Sequence, residues 1–387
     1  MIRPATYAIT VLAAFLSAGC SDNDLTLPVE EPPPASFDPQ ETFRYDTYGD
    51  EALWTDVLRF HEVVETISPE VALGVGLKVD SEVLPDGLLA SADLSDPATT
   101  VELLRLDAVV GVKAEVSEDG RVTSFGITCA LCHSDVDDSV VDGVGKRQDG
   151  WPARDLDPGL IISLSPFFDD KPVERAQLRS WGPGMYDPYW NIDGISDPVV
   201  IAPAYGLKDV ALETYTGEGP VSYWNAYVAI TQMGGQGNFE EPHLGISVQA
   251  DPDLVTPKLP ALLEYQETLE PPLPPDGSFD AVAADRGQQL FEGKAECSGC
   301  HSGPALTDAG TTLHEAHEVG ADPLYATRTI TRMYRTTPLR ALWHHAPYYH
   351  NGAFETLDAV VDHYDLVLNL GLLDDEKSDL VEYLKSL

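Results

Sequence analysis

Arg286-Gly287-Gln288-Gln289-Leu290-Phe291, followed by Cys297-Ser298-Gly299-Cys300-His301, is the stretch that decides how this chain folds. The second block is a Cys-x-x-Cys-His pentapeptide, with two thiols spaced to bond the vinyl groups of a porphyrin and a histidine placed to ligate its iron from one face. Another copy stands at Cys129-Ala130-Leu131-Cys132-His133. A lone C-x-x-C also fits a thioredoxin-type pair or half a zinc site, but neither requires the following histidine, and zinc would want further ligands at close spacing. The chain has five cysteines, four of them in the two motifs and the fifth at Cys20. No pair is left for a structural disulfide, and the remaining alternative is oxidation of each C-x-x-C to a local disulfide. The motifs therefore imply two covalently bound haem c groups, with His133 and His301 as iron ligands.

Residues 280–294 around the first block read as a helix, and residues 375–387 read as another with Leu380, Tyr383 and Leu384 on one face. This pair resembles the cytochrome c fold, in which a glycine and an aromatic of the first helix cross an aromatic of the last. Gly287, Phe291 and Tyr383 match those positions. Only glycine lets two helix backbones approach at such a crossing. Upstream, Pro271-Pro272-Leu273-Pro274-Pro275-Asp276-Gly277 is the clearest linker. Apolar residues Leu53, Trp54, Val57, Val64 and Ile67 predict one amphipathic helix over 51–67, and another starts near Asp96-Pro97. Residues 112–116 and 121–127 predict a hairpin feeding the first motif, while 143–220 is dense in Gly, Pro, Asp and aromatics with little periodicity. The expected fold is mainly α, with two cytochrome c-type haem domains, irregular loops, and an N-terminal extension containing helices and a small β-hairpin. Its expected divisions are a signal peptide at 1–19, a tether at 20–40, the extension with the first haem domain at 41–270, a Pro-rich linker at 271–280 and the second haem domain at 281–387.

The N-terminus has a basic start at Arg3 and an apolar run over 7–16 that is too short to span a bilayer, which reads as a signal peptide. Leu16-Ser17-Ala18-Gly19-Cys20 resembles a bacterial lipobox, with Ser17 where an aliphatic residue is usual. It implies a lipid on Cys20, and the alternative is ordinary cleavage to a soluble periplasmic protein. Ser21 points to the outer membrane by analogy with enterobacterial sorting. The expected location is the periplasm, with membrane attachment through that lipid only. With 64 acidic against 23 basic residues, the formal net charge is −41, which excludes nucleic acid and anionic membrane surfaces as partners. A small redox protein that donates or accepts electrons fits such a surface, and so does plain solubility in salty surroundings.

Residues 281–387 resemble the C-terminal haem domain of the bacterial di-haem cytochrome c peroxidase and MauG superfamily. The matching blocks are Tyr334-Arg335-Thr336-Thr337-Pro338-Leu339-Arg340, Ala346-Pro347-Tyr348-Tyr349-His350-Asn351-Gly352, and the run from Thr356-Leu357 to His363-Tyr364. The first domain matches through its motif, Trp181-Gly182-Pro183-Gly184 and Ala202-Pro203. Where the peroxidases have a methionine that ligates the second haem, this chain has Tyr364, as MauG does. The resemblance implies Tyr364 as sixth ligand of that haem. His363 is the alternative, since rubber oxygenases of the same superfamily use a histidine, and a packed aromatic is the plainer role for Tyr364. No histidine stands between His133 and His243, where the classical peroxidases place a distal one. The first haem is thus expected to be open, unless Met185 closes it. Trp224 matches the tryptophan between the haems, with Trp190 as second candidate, and Glu240 and Glu241 stand where the distal-pocket acid is expected. The family also holds calcium between its haems, near a sequence like Thr336-Thr337-Pro338 and through an asparagine whose place here is Ile201.

These readings imply a di-haem oxidoreductase that meets peroxide or dioxygen at the first haem and relays or stores electrons at the second. A non-catalytic electron carrier with both irons six-coordinate is the rival. Oxygenase action on an apolar polymer is a third reading, and it predicts an apolar channel to the first haem.

Overall fold

The computed structural model describes residues 37–387, so the expected signal peptide, Cys20 and most of the expected tether lie outside the described residues. The end of that tether is already ordered: Asp38 accepts from the Glu41 N–H to start a helix at Pro39–Tyr45, and Gln40 Nε2 donates to the Tyr265 hydroxyl at 3.0 Å. Among the described residues helices predominate, and every sheet has two strands.

The C-terminal half is built on the crossing of Ala281–Glu292 and Asp374–Ser386. Asp280 starts the first helix by accepting from the N–H groups of Val282 and Ala283 at 2.8 and 3.1 Å. At the crossing, a Cβ on Gly287 would lie 2.0 Å from the Asp379 carbonyl oxygen and 2.8 Å from the Tyr383 Cβ. No side chain fits there. One turn on, the rings of Phe291 and Tyr383 meet edge to face with centroids 5.2 Å apart. A third helix, Leu357–Leu368, is capped by Thr356 and adds Leu357 and Val361 to the core that holds Phe291, Leu342, Leu380 and Leu384.

In the N-terminal half the expected single helix over 51–67 is two. Ala52–Val57 is a π-helical turn, and Phe60–Val64 follows after Arg59 takes a left-handed conformation at φ 59°. Val57, at the end of the π-helical turn, is 45% exposed, while Trp54, Leu58 and Phe60 are buried. The next helix, Pro97–Arg105, begins where its cap predicts, with Asp96 accepting from the Ala98 N–H at 2.9 Å. The hairpin pairs Val112–Val116 with Val122–Ile127 and delivers the chain to the short helix Ala130–His133. It can pass that close because Gly111, at φ +75°, lies where a Cβ would be 2.1 Å from the Leu131 Cα.

Residues 143–220 carry short elements only, among them Pro158–Ser163, Pro172–Arg179 and the strand pair Met185–Tyr186 with Val199–Val200. The Pro-rich segment at 271–277 has no helix or strand, yet the Trp343 indole N–H donates to the Pro272 carbonyl at 3.3 Å. Hydrogen bonds, ion pairs and a common core join the parts of the chain on either side of it, the core bringing Tyr189, Trp224 and Tyr227 against Tyr325 and Tyr334. The Val200 N–H donates to the His350 carbonyl at 2.7 Å, Arg335 pairs with Glu213 at 3.0 Å, and Arg328 pairs with Asp187 and Asp193 at 2.9 and 2.8 Å.

Candidate haem-binding site

The two motifs present their histidines in the same way. In the first, the His133 Nδ1 lies 3.0 Å from the Ala202 carbonyl, and since a carbonyl only accepts, Nδ1 carries the proton and Nε2 keeps its lone pair. Burial brings the His133 pKa down to about 4, so the ring is neutral, as a metal ligand must be. The Ala153 N–H donates to the Cys132 carbonyl at 3.0 Å and fixes the other side of the turn. In the second, the His301 N–H closes onto the Cys297 carbonyl at 2.9 Å, and its Nδ1 donates to the Leu306 carbonyl at 3.1 Å. Burial lowers that pKa as well. All four motif cysteines are free thiols.

Both motifs open into one cavity of about 770 Å³, which Cys129, Cys132 and His133 enter from one half and Cys297, Cys300 and His301 from the other. Its polar lining includes atoms that no protein group satisfies: the donors Arg154 Nε and Nη1 and Trp224 Nε1, the Tyr205 hydroxyl and the His345 Nε2. Buried polar groups without partners are rare, so these atoms ask for a polar occupant. Paired thiols, a neutral imidazole with a free lone pair, an apolar wall and unpaired donors together suit a haem at each motif.

Tyr364 lines this cavity with the Tyr349 ring beside it, centroids 6.0 Å apart, and the Tyr349 hydroxyl donates to the Val319 carbonyl at 3.1 Å. Burial raises the Tyr364 pKa. His363 is absent from the lining. Its Nε2 lies 3.3 Å from the Val319 carbonyl, and its ring sits among Tyr349 and Phe354. Met185 is also absent from the lining, packing instead beside the Trp54–Phe60 core, while its strand neighbour Tyr186 does line the cavity. Trp224 lines it, whereas Trp190 packs on Trp181 and satisfies its N–H on Gln177. Glu240 and Glu241 lie together on the strand Phe239–Glu241, outside the lining. Glu240 is exposed, and Glu241 accepts from the His243 N–H at 3.0 Å. Thr336, Thr337, Pro338 and the buried Ile201 all border the cavity, and Ile201 brings no side-chain oxygen to it. Cys300, Asp308 and His314 approach one another closely enough to hold a metal ion, but the thiol belongs to the second motif.

No family model matches the chain. It is 29% identical over 157 residues to the cytochrome-c peroxidase IdrP1 of Denitromonas iodatirespirans, a match covering 29% of this chain and 42% of that protein. It is 38% identical over 96 residues to the methylamine utilization protein MauG of Methylorubrum extorquens, covering 23% of this chain and 27% of MauG. Its curated homologues are cytochrome-c peroxidases and MauG. The chain spans less than half the length of the curated relatives it matches. A solved MauG-like protein associated with microbial copper homeostasis overlaps 50% of this chain and 74% of its own, at 18% identity and a TM-score of 0.36.

Several lining residues carried no signal that likeness to the peroxidases and MauG would have flagged. His345 reaches the cavity from the second half of the chain, so a search for histidines near the first motif passes over it. Tyr186 donates to the Gln232 Oε1 at 3.0 Å, and both line the wall of the first motif. The N-terminal extension also contributes a wall. Val63, Val64, Ile67 and Val75, with Ile161 and Ile162 opposite, are half-buried apolar side chains that line the cavity. Val71, 49% exposed, stands at its edge.

Proposed function

We propose that this chain is a di-haem c-type oxidoreductase of the peroxidase type, with the first site as the place where peroxide or dioxygen reacts and the second as the place where electrons are held. One observation carries the reading: two Cys-x-x-Cys-His motifs, each with its histidine Nδ1 bound to a carbonyl, open into a single cavity. Bound at both motifs, haem supplies one-electron chemistry and an iron face for a small oxidant.

The chain's own residues then divide the work. His133 and His301 are kept towards the neutral form by burial and oriented by the Ala202 and Leu306 carbonyls. Trp224, buried at 7% exposure and lining the shared cavity, serves as the aromatic relay from one site to the other. Tyr364 would offer its phenol oxygen to the iron of the second haem, with the Tyr349 ring packed beside it. The Tyr186–Gln232 pair supplies the polar wall of the first site, a role that the exposed Glu240 and the engaged Glu241 do not reach. The same reading carries export, a lipid on Cys20 and a small redox protein as electron partner. Calcium between the haems has the Thr336–Pro338 backbone to support it and no asparagine.

Adding carbon monoxide to the reduced protein and hydrogen peroxide to the oxidised protein tests this directly. A spectral change belonging to one haem is expected, and silence from both in either redox state would establish the electron-carrier alternative. The apolar wall from Val63 to Val75 and Ile161 to Ile162 supports a second reading, oxygenase action on an apolar compound. That reading expects dioxygen uptake to depend on an added hydrocarbon and to proceed without peroxide.

A further inference from the structure

Arg154 is a buried cation with no acid beside it. Its Nη2 donates to the His345 carbonyl at 3.0 Å, and its Nε and Nη1 have no partner. A chain with 64 acidic residues could have placed one here and did not. Asp155, the neighbour of Arg154 in sequence, pairs with Lys78, and Glu213 of the cavity lining pairs with Arg335. The hydroxyls that face the guanidinium, those of Tyr205, Tyr215 and Tyr348, are all held in the neutral form by burial. A buried cation left without a counter-charge is strongly unfavourable, and burial lowers the Arg154 pKa accordingly.

The missing negative charge must come from what fills the cavity. Haem brings two carboxylates, its propionates, at the edge away from the thioether bonds. The fork of Arg154 suits a carboxylate bidentately, and Tyr205, whose hydroxyl is also unpartnered, lines the same cavity. The segment is tied to the first motif, because the Ala153 N–H binds the Cys132 carbonyl. We propose that Arg154, assisted by Tyr205, is the binding site of a propionate of the first haem and holds the reduction potential of that haem up. A fixed positive charge near the iron disfavours its ferric state, which carries one charge more than the ferrous. Through its bond to the His345 carbonyl, Arg154 also joins this propionate to the second half of the chain. The inference rests on haem at the first motif, and it does not depend on what oxidant that haem meets.

Spectroelectrochemical titration and resonance Raman spectra of the haem-loaded protein test it. In R154Q one of the two midpoint potentials is expected to fall while the other holds, and the propionate bending mode of one haem is expected to shift. R154K, which keeps the charge and loses the fork, should shift the mode while holding the potential nearer the wild-type value. Unchanged propionate modes for both haems in R154Q, or in R154K where R154Q does not load haem, would overturn the proposal. Carbon monoxide binding by the wild type reports separately on the oxidoreductase reading, so a silent iron there would leave the Arg154 result standing.

Discussion

Two adjacent residues of one helix, His363 and Tyr364, have different surroundings, because successive positions on a helix are about 100° apart. Tyr364 borders the cavity beside Cys297 and Cys300, while the His363 Nε2 is turned to the Val319 carbonyl. Ferric spectra of two variants separate them: Y364F should change the charge-transfer and EPR features of the second haem, and H363N should leave them in place. The reverse pattern would move the ligand to His363. A second residue carries a pH prediction. Asp50 is fully buried, accepts from the Ile127 N–H at 3.2 Å through Oδ2, and has no partner for Oδ1. Burial, with Glu51 and Asp46 adding repulsion, pushes its pKa up to about 9. The unfolded chain releases this proton near pH 4 and the folded chain keeps it to about 9, so the folded state binds more protons in that window and stability falls as pH rises. The slope attributable to Asp50 reaches about 1.4 kcal/mol per pH unit. Urea denaturation of D50N should show a flatter dependence between pH 5 and 9, and an unchanged slope would mean that Asp50 is ionised in the fold.

At the level of elements, the crossing of Ala281–Glu292 with Asp374–Ser386 is the tightest helix contact in the C-terminal half. In G287A the added methyl would meet the Asp379 carbonyl at 2.0 Å, so the helices must part. The expected cost is about 3 kcal/mol or more, read as a lower denaturation midpoint together with weakened retention of the second haem's native spectrum. This crossing was legible in the sequence because its requirement is local: a glycine, an aromatic one turn later and an aromatic on the last helix. Caps were legible for the same reason at Asp96 and Asp280. The helix over 51–67 was misread because apolar spacing says nothing of backbone handedness or of a π-helical turn: Ala52–Val57 is π-helical, and the left-handed Arg59 ends it before Phe60–Val64. The site divides along the same line. Motif residues that would hold haem are set by their spacing along the chain and show there, whereas Arg154, Tyr186, Gln232 and His345 reach the cavity from distant segments that only tertiary packing brings together.

For the whole molecule, the question is what keeps the two halves facing one cavity when a Pro-rich segment joins them. The segment itself is a weak candidate, since residues 275–278 are exposed and without regular structure. Arg328 is the strong one. Its guanidinium is 3% exposed and bonds Asp187, which is fully buried, as well as Asp193 and the Ile195 carbonyl at 2.9 Å. Arg335 with Glu213 forms a second buried pair between the halves. Breaking one partner of such a pair leaves a buried charge alone and costs about 3–5 kcal/mol. A protease nick within 275–278 should therefore leave both fragments in one particle on size exclusion, because the contacts do not run through the linker. The same nick in R328A should weaken the association, most at low salt, where the acidic surfaces behind the net charge of −41 repel across the longest range. Restoring the cation in R328K should recover part of the association, since the charge returns without the fork that reaches both aspartates. Separation of the nicked wild type would mean that the covalent linker, and not Arg328, holds the shared cavity closed.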